Sequence, residues 1–432
     1  MIRLSIVLSF IFFLEGGLVS QSLYYPPLST AQWKTKSPES LGWNINLIPD
    51  LINFLDSTHA KSFIVLKDGE LVMEYYFHGH DAAKPWYWAS AGKSLTSILI
   101  AFAEADGKLN LQDSSLKYLG SGWTSCGIQA EEKIKVYNHI TMTTGLDESV
   151  SFDCTDPTCL MCKAEPGTRW SYHNSPYTLL DKVIESATGQ NLNLYFKNKL
   201  GDKIGASGLF IKLGEDNVFW STARNMARFG LFVLGHGVWD GKKILDNETF
   251  IKNMSQSSQS INPSYGYLWW LNGKEKFILP GSQLVFNGPL IPSAPMDMFA
   301  ALGKNDQKLY IVPSQNLVIV RMGDIAFDDS PVPIRLDEPL WKKLSVIMNT
   351  PTPTHLIQNI SKEKISWYSR GNIHILNEVD VMDVTLMNLS GSFIKVLKAT
   401  HEIALDDFAS GIYFVKIKNK AGKIFLNKIL IH

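Results

Sequence analysis

The feature that most constrains this chain is where its alternating apolar runs fall. Ser62–Leu66 and Leu71–Phe77 flank Lys67-Asp68-Gly69-Glu70 and read as a hairpin. Comparable runs return only much later, at Tyr265–Trp270, Lys308–Val312 and Leu317–Arg321, with Pro313–Asn316 as a turn. The segment between them carries helical patterns at Ile98–Ala103 and Tyr177–Ala187, and the stretch from there to about Asn253 reads as helical and variable. Strands at both ends with helices between predict one mixed sheet and a helical lobe. Asn349-Thr350-Pro351-Thr352-Pro353-Thr354 then breaks the pattern as a linker, and beyond Ile365 every periodic run is a strand. That tail predicts a small β-sandwich over residues 365–432, after a linker at 350–364.

With 432 residues, 45% of them hydrophobic, the chain has enough material for a large core and a second domain. Its net charge is zero and it has no long basic or acidic run, so nothing points to nucleic acid. Met1-Ile2-Arg3, the apolar Leu4–Leu14 and the small residues before Ser20 describe a secretory leader over residues 1–20. It is too short to span a membrane, and no other stretch is long enough. Residues 21–349 would then be the exported first domain.

Export makes the four cysteines, Cys126, Cys154, Cys159 and Cys162, readable as disulfides, with three full pairings open. A zinc site is the alternative, but Cys-x4-Cys-x2-Cys plus a distant cysteine is irregular spacing for it.

The chemistry begins at Trp88-Ala89-Ser90-Ala91-Gly92-Lys93-Ser94, which opens an apolar helix ending near Asp106-Gly107. Lys93 lies one turn from Ser90 on the same face. A serine hydroxyl needs a neighbour to take its proton, and a partly desolvated lysine can do so. The pattern S-x-x-K also occurs at Ser114–Lys117, Ser361–Lys364 and Ser392–Lys395, so it needs a second signal. That signal is Tyr172-His173-Asn174, which follows Pro166-Gly167-Thr168-Arg169-Trp170 and precedes an apolar helix. A tyrosine beside a lysine ammonium would have its pKa lowered and could move the serine proton, and Asn174 could hold a substrate carbonyl.

Together these segments resemble the serine β-lactamase and penicillin-binding superfamily, on its class C and esterase side. Tyr118-Leu119-Gly120 and Thr141-Met142-Thr143-Thr144-Gly145-Leu146 add likeness to 6-aminohexanoate-dimer hydrolases and related esterases. The resemblance covers about residues 30–345. It implies an α/β fold in which an antiparallel sheet flanked by helices sits beside an all-helical lobe, with the site between. The third motif of the superfamily, Lys or His, a small residue, then Gly on a strand, is altered. Its best match is Ala301-Leu302-Gly303-Lys304, which would place the backbone N–H groups of Ser90 and Lys304 as an oxyanion hole. Without a cationic or hydroxyl side chain at Ala301, recognition of a lactam carboxylate is weakened.

The expected protein is therefore a secreted serine hydrolase, acting on a small-molecule ester or amide through Ser90, Lys93 and Tyr172, with Asn174, Gly303 and Lys304 binding substrate. It needs neither metal nor organic cofactor. A D-amino-acid peptidase or β-lactamase activity, or a non-catalytic binding protein on the same fold, are the competing readings. His139 and His173 are expected to be packing or hydrogen-bonding residues, Glu165 has no assigned role, and Trp86, Trp88 and Trp170 are expected to pack. The tail resembles the C-terminal sorting domain of type IX secretion substrates, through Asp407–Ile417 and Lys423–Ile429. That likeness implies contact with a secretion machinery and delivery through the periplasm to the cell surface or medium.

Overall fold

The computed structural model describes residues 23–29, 32–327 and 334–349. Toward the C-terminus it describes residues 360–361, 366–369, 372–376, 379–388, 393–398, 400–404, 411–421 and 424–431. The expected leader at 1–20 and most of the expected linker at 350–364 lie outside these residues.

The expected hairpin forms between β1 (Ala60–Lys67) and β2 (Glu70–Tyr76). Asp68 and Gly69 both take positive φ, as a two-residue turn of the primed type requires. A short strand, β3 (Trp86–Tyr87), leads to the central helix α1 (Gly92–Ala105), which is buried from Gly92 to Ala103. The next long helix, α2 (Asn174–Thr188), packs against α1. The variable middle is not helical throughout, because β4 (Leu209–Leu213) and β5 (Asp216–Ser221) pair there. Together with β3 they make a separate three-stranded sheet in the order β3-β5-β4. Gly214 supplies positive φ between the two middle strands, so this hairpin had a turn signal.

After α3 (Ala223–Leu234) the chain returns to the main sheet through β6 (Trp270–Leu271), β7 (Phe299–Gly303), β8 (Gln307–Val312) and β9 (Leu317–Gly323). The six strands run β2-β1-β9-β8-β7-β6, every neighbour antiparallel. β8 and β9 are buried along their whole length because helices cover both faces. On one face α3 lies so close that a Cβ at Gly230 would meet Val318 and Leu309 at 2.6 and 2.7 Å. On the other, Tyr310 packs edge-on against Trp341 of α4 (Asp337–Ile347), at 5.4 Å between centroids. Buried charge reinforces that face: Lys308 Nζ lies 2.7 Å from Asp337 Oδ2, and Tyr310 donates to Asp337 Oδ1 at 2.8 Å.

The tail folds as two sheets, one of five strands and one of three. Ile373, Ile375 and Ile403 of the smaller share a core with Val384, Leu386 and Val415 of the larger, which makes a sandwich. The cysteines form two disulfides, Cys126–Cys162 and Cys154–Cys159, which picks one of the three open pairings. Among the described residues no helix is long and apolar enough to cross a membrane.

Candidate active site

Ser90 sits in a one-turn 3-10 segment, Ala89–Ala91, immediately before α1. The turn is held from behind. Trp88 donates its backbone N–H to Phe219 at 2.8 Å, and its buried indole donates to Ser221 Oγ at 2.9 Å. Ala89 is then forced to φ 47°, a left-handed conformation that costs a non-glycine residue about 1–2 kcal/mol. The surrounding packing has to stabilise that strain, and it lies next to the candidate nucleophile.

From α1, Lys93 Nζ approaches Ser90 Oγ at 3.2 Å. The lysine is buried, and desolvation lowers its pKa to about 8, against the opposing fields of Asp216, Asp153 and Asp181. No carboxylate pairs directly with its ammonium among the described residues. Instead the Tyr177 ring lies 4.1 Å and the Tyr172 ring 5.4 Å from Nζ. With a pKa near 8, Lys93 is mostly protonated at pH 7 and gives up its proton just above that pH, and the face of Tyr177 stabilises the cation.

Tyr172 is buried too, and a hydrogen bond joins it to Ser90. Here the structure differs from the expectation. Burial drives the phenol far above its ordinary pKa, and the Ser90 hydrogen bond only partly opposes this. A tyrosine that holds its proton so firmly can donate it but is a poor proton acceptor.

Asn174 begins α2, so it is helical rather than extended. Its Nδ2 donates to Asp153 Oδ1 at 2.7 Å, while its buried Oδ1 has no partner among the described residues. One stripe of α2 continues from it. Tyr177 follows one turn on, Thr178 donates to Asp216 Oδ1 at 2.9 Å, and Asp181 accepts from Asn217 at 2.6 Å. Burial raises the Asp181 pKa to about 7. Sequence reading missed Tyr177, Asp181 and the facing Asp153 and Asp216. The i, i+3, i+4, i+7 spacing of Asn174, Tyr177, Thr178 and Asp181 was an available signal for the helical ones.

The opposite wall comes from the end of β7. A Cβ at Gly303 would lie 2.4 Å from Trp88 O and 3.0 Å from Ala91 N, so only glycine lets the strand approach the Ser90 turn. The following turn places Asn305 and Asp306 at positive φ. It is pinned by Gln307, which donates to Asn305 O and Gly323 O, and by buried Arg321, which donates to Asp306 O. All six residues singled out from the sequence, Ser90, Lys93, Tyr172, Asn174, Gly303 and Lys304, line one cleft of about 570 Å³. Leu302, not Ala301, is the strand side chain that lines it, and the cationic groups reach it from Lys304 and Arg335 instead.

The remaining candidates are structural. His139 is buried between Ser115 Oγ at 2.9 Å and Pro176 O at 2.6 Å, and desolvation lowers its pKa to about 4. His173 bonds Ser151 O at 2.9 Å. Exposed Glu165 pairs with Lys133. Of the other S-x-x-K patterns, Ser114 donates to Glu131 O and Lys117 pairs with Asp113. The patterns starting at Ser361 and Ser392 include residues outside the described set. Trp88 and Trp170 are core, and half-buried Trp86 donates to Gly323 O.

The beta-lactamase family profile matches residues 56–330, over half of the chain. The chain belongs to the beta-lactamase family. This beta-lactamase-family chain also matches the secretion system C-terminal sorting domain over residues 358–432, which implies export or a cell-surface location. An uncharacterized protein of Alkalihalophilus pseudofirmus is 26% identical over 321 residues, 66% of this chain and 88% of that protein. Among solved structures, one described as a 6-aminohexanoate-dimer hydrolase from Bacillus anthracis is similar with a TM-score of 0.56 at 19% identity. That match covers 74% of this chain and 88% of the other. A beta-lactamase-like protein of Bacteroides dorei superposes at 0.57 with 15% identity, covering 71% and 99%. The penicillin-binding protein homologue of Pyrococcus abyssi gives 0.55 at 14%, covering 89% of each chain. At these identities the structures establish the shared fold.

Proposed function

We propose that this chain is an exported serine hydrolase that cleaves an ester or amide through an acyl-enzyme on Ser90. The observation that carries the reading is the buried Lys93 amine, 3.2 Å from Ser90 Oγ with its pKa lowered to about 8. Neutral Lys93 takes the Ser90 proton as Oγ attacks the carbonyl, and the Tyr177 ring and nearby carboxylates stabilise the resulting ammonium. Tyr172 passes its proton to the leaving group and recovers one from the Lys93 ammonium, which carries the proton taken from Ser90. Backbone N–H groups of Ser90 and Lys304 face the developing oxyanion, each worth about 3–4 kcal/mol in such sites. Asn174, fixed by Asp153, positions the substrate. Water then repeats the sequence to release the acid.

The same reading takes residues 1–20 as the leader, 21–349 as the hydrolase and 350–364 as the linker. Residues 365–432 form the sorting sandwich, which hands the protein from the periplasm to the secretion machinery.

A fluorophosphonate probe followed by peptide mass spectrometry tests the assignment: Ser90 is the labelled residue, and Ser90→Ala abolishes both labelling and p-nitrophenyl ester turnover. Turnover that survives Ser90→Ala refutes the mechanism, and the absence of all turnover favours a binding protein. Rates on esters, linear amides and D-amino-acid peptides rank the substrate classes, with esters or amides expected first.

A further inference from the structure

The three-stranded sheet beside the Ser90 turn has two unlike faces. Its inner face packs Phe210 against Phe219, 4.8 Å between centroids, in the core. On the outer face the register sets Leu209 opposite Trp220, which is itself paired with Tyr87, then Ile211 opposite Val218. Leu213, opposite Asp216, completes the row. Paired residues share a face, and the face alternates along each strand. A solvated face is normally polar. Here Leu209, Ile211 and Leu213 are 58%, 42% and 51% exposed, beside the Tyr87–Trp220 ring pair at 5.5 Å. Contiguous exposed apolar surface of this kind marks a binding site.

This face is continuous with the cleft, since Tyr87, Leu213 and Val218 also line it. From Leu213 to Leu209 it extends roughly 13 Å along the strand. The free edge of β4 is meanwhile closed. Asn193 donates to Phe210 O at 3.0 Å and accepts from Phe210 N–H at 2.7 Å, so an added β-strand does not fit there. The platform starts beside the nucleophile, since Tyr87 lies three residues before Ser90 and both line the cleft.

We propose that the outer face of the β3-β5-β4 sheet is the platform for the acyl chain, which makes medium- and long-chain fatty-acyl esters or amides the preferred substrates. This rests on the serine-hydrolase reading of Ser90. The full-length protein is assayed on p-nitrophenyl acetate, butyrate, octanoate and decanoate. The ratio of kcat/KM for octanoate to acetate is expected to be about tenfold or more. In the double variant Leu209→Ser/Ile211→Ser, whose changes are at exposed positions, that ratio falls at least about threefold. Val346→Ser, an exposed apolar change on α4, leaves it unchanged.

Binding is read separately by titrating Ser90→Ala with methyl octanoate and methyl acetate. Chain-length-dependent binding without any turnover in the parent protein sustains the platform and refutes the Ser90 mechanism. Turnover or binding indifferent to chain length overturns the platform and leaves the mechanism standing. An unchanged ratio in the double variant overturns it too, whether the face turns out to hold a second copy, seen as a dimer lost in the variant, or a phosphatidylcholine vesicle.

Discussion

Lys93 gives the sharpest prediction at the scale of single residues. If its neutral form is the base, kcat/KM rises with pH through an apparent pKa near 8, as a titration on stopped substrates will read. The same burial affects stability. The folded pKa is about 8 against an ordinary 10.5, so between those values the unfolded chain binds more protons and stability rises with pH. Below 8 the full penalty applies, on the order of 3 kcal/mol. Lys93→Met is therefore expected to be inactive yet more stable than the parent at pH 7, with the gap narrowing from pH 8 to 10.5. Urea unfolding at several pH values checks this. The lysine was legible in the sequence because S-x-x-K at a helix start has one geometric meaning. Its electrostatics were not, since the desolvation comes from Tyr172, Tyr177 and α2, distant in sequence. The same burial explains why the tyrosine's pKa moves up instead of down.

Elements, not single residues, bring the site together. The stripe Asn174, Tyr177, Thr178 and Asp181 on α2 sets the field around Lys93. Asp181→Asn removes a negative charge that raises the lysine's pKa, so the ascending limb of kcat/KM is expected to move to lower pH with little change in its height. A limb that stays in place shows that Asp181 acts only structurally. On a covered face of the sheet, α4 is fastened by Asp337, which both Lys308 and Tyr310 engage. Asp337→Ala takes one of two counter-charges from buried Lys308, which keeps Asp306 at 3.2 Å, and leaves the Tyr310 hydroxyl without its acceptor, so it is expected to destabilise the protein by about 1–3 kcal/mol in denaturant unfolding. The β4–β5 hairpin is the element sequence reading passed over. Its two strands are short and carry apolar residues on both faces, so the alternation that reveals a strand is absent. The strand expected at Tyr265–Trp270 overlaps β6, Trp270–Leu271, only at Trp270.

For the whole molecule, the described hydrophobic cores of the beta-lactamase-like part and of the sandwich share no residue. Calorimetry of the full chain is expected to resolve two unfolding transitions, since separate cores unfold separately. The disulfides belong to the first. Cys126–Cys162 closes 36 residues, for which chain entropy predicts about 4 kcal/mol, so Cys126→Ser/Cys162→Ser should lower the first transition and leave the second in place.

The sequence by itself determined the two-part organisation, the family and the six residues that meet in the cleft. Each of these rests on local patterns: strand alternation at the ends, a serine and lysine one helical turn apart, and a glycine where a strand must pass a turn. Only the tertiary structure decided the disulfide pairing, the directions in which the Lys93 and Tyr172 pKa values move, the carboxylates around them and the apolar face beside Ser90. Those depend on which distant segments exclude water from one another, and desolvation is a property of the packed molecule that no local pattern encodes.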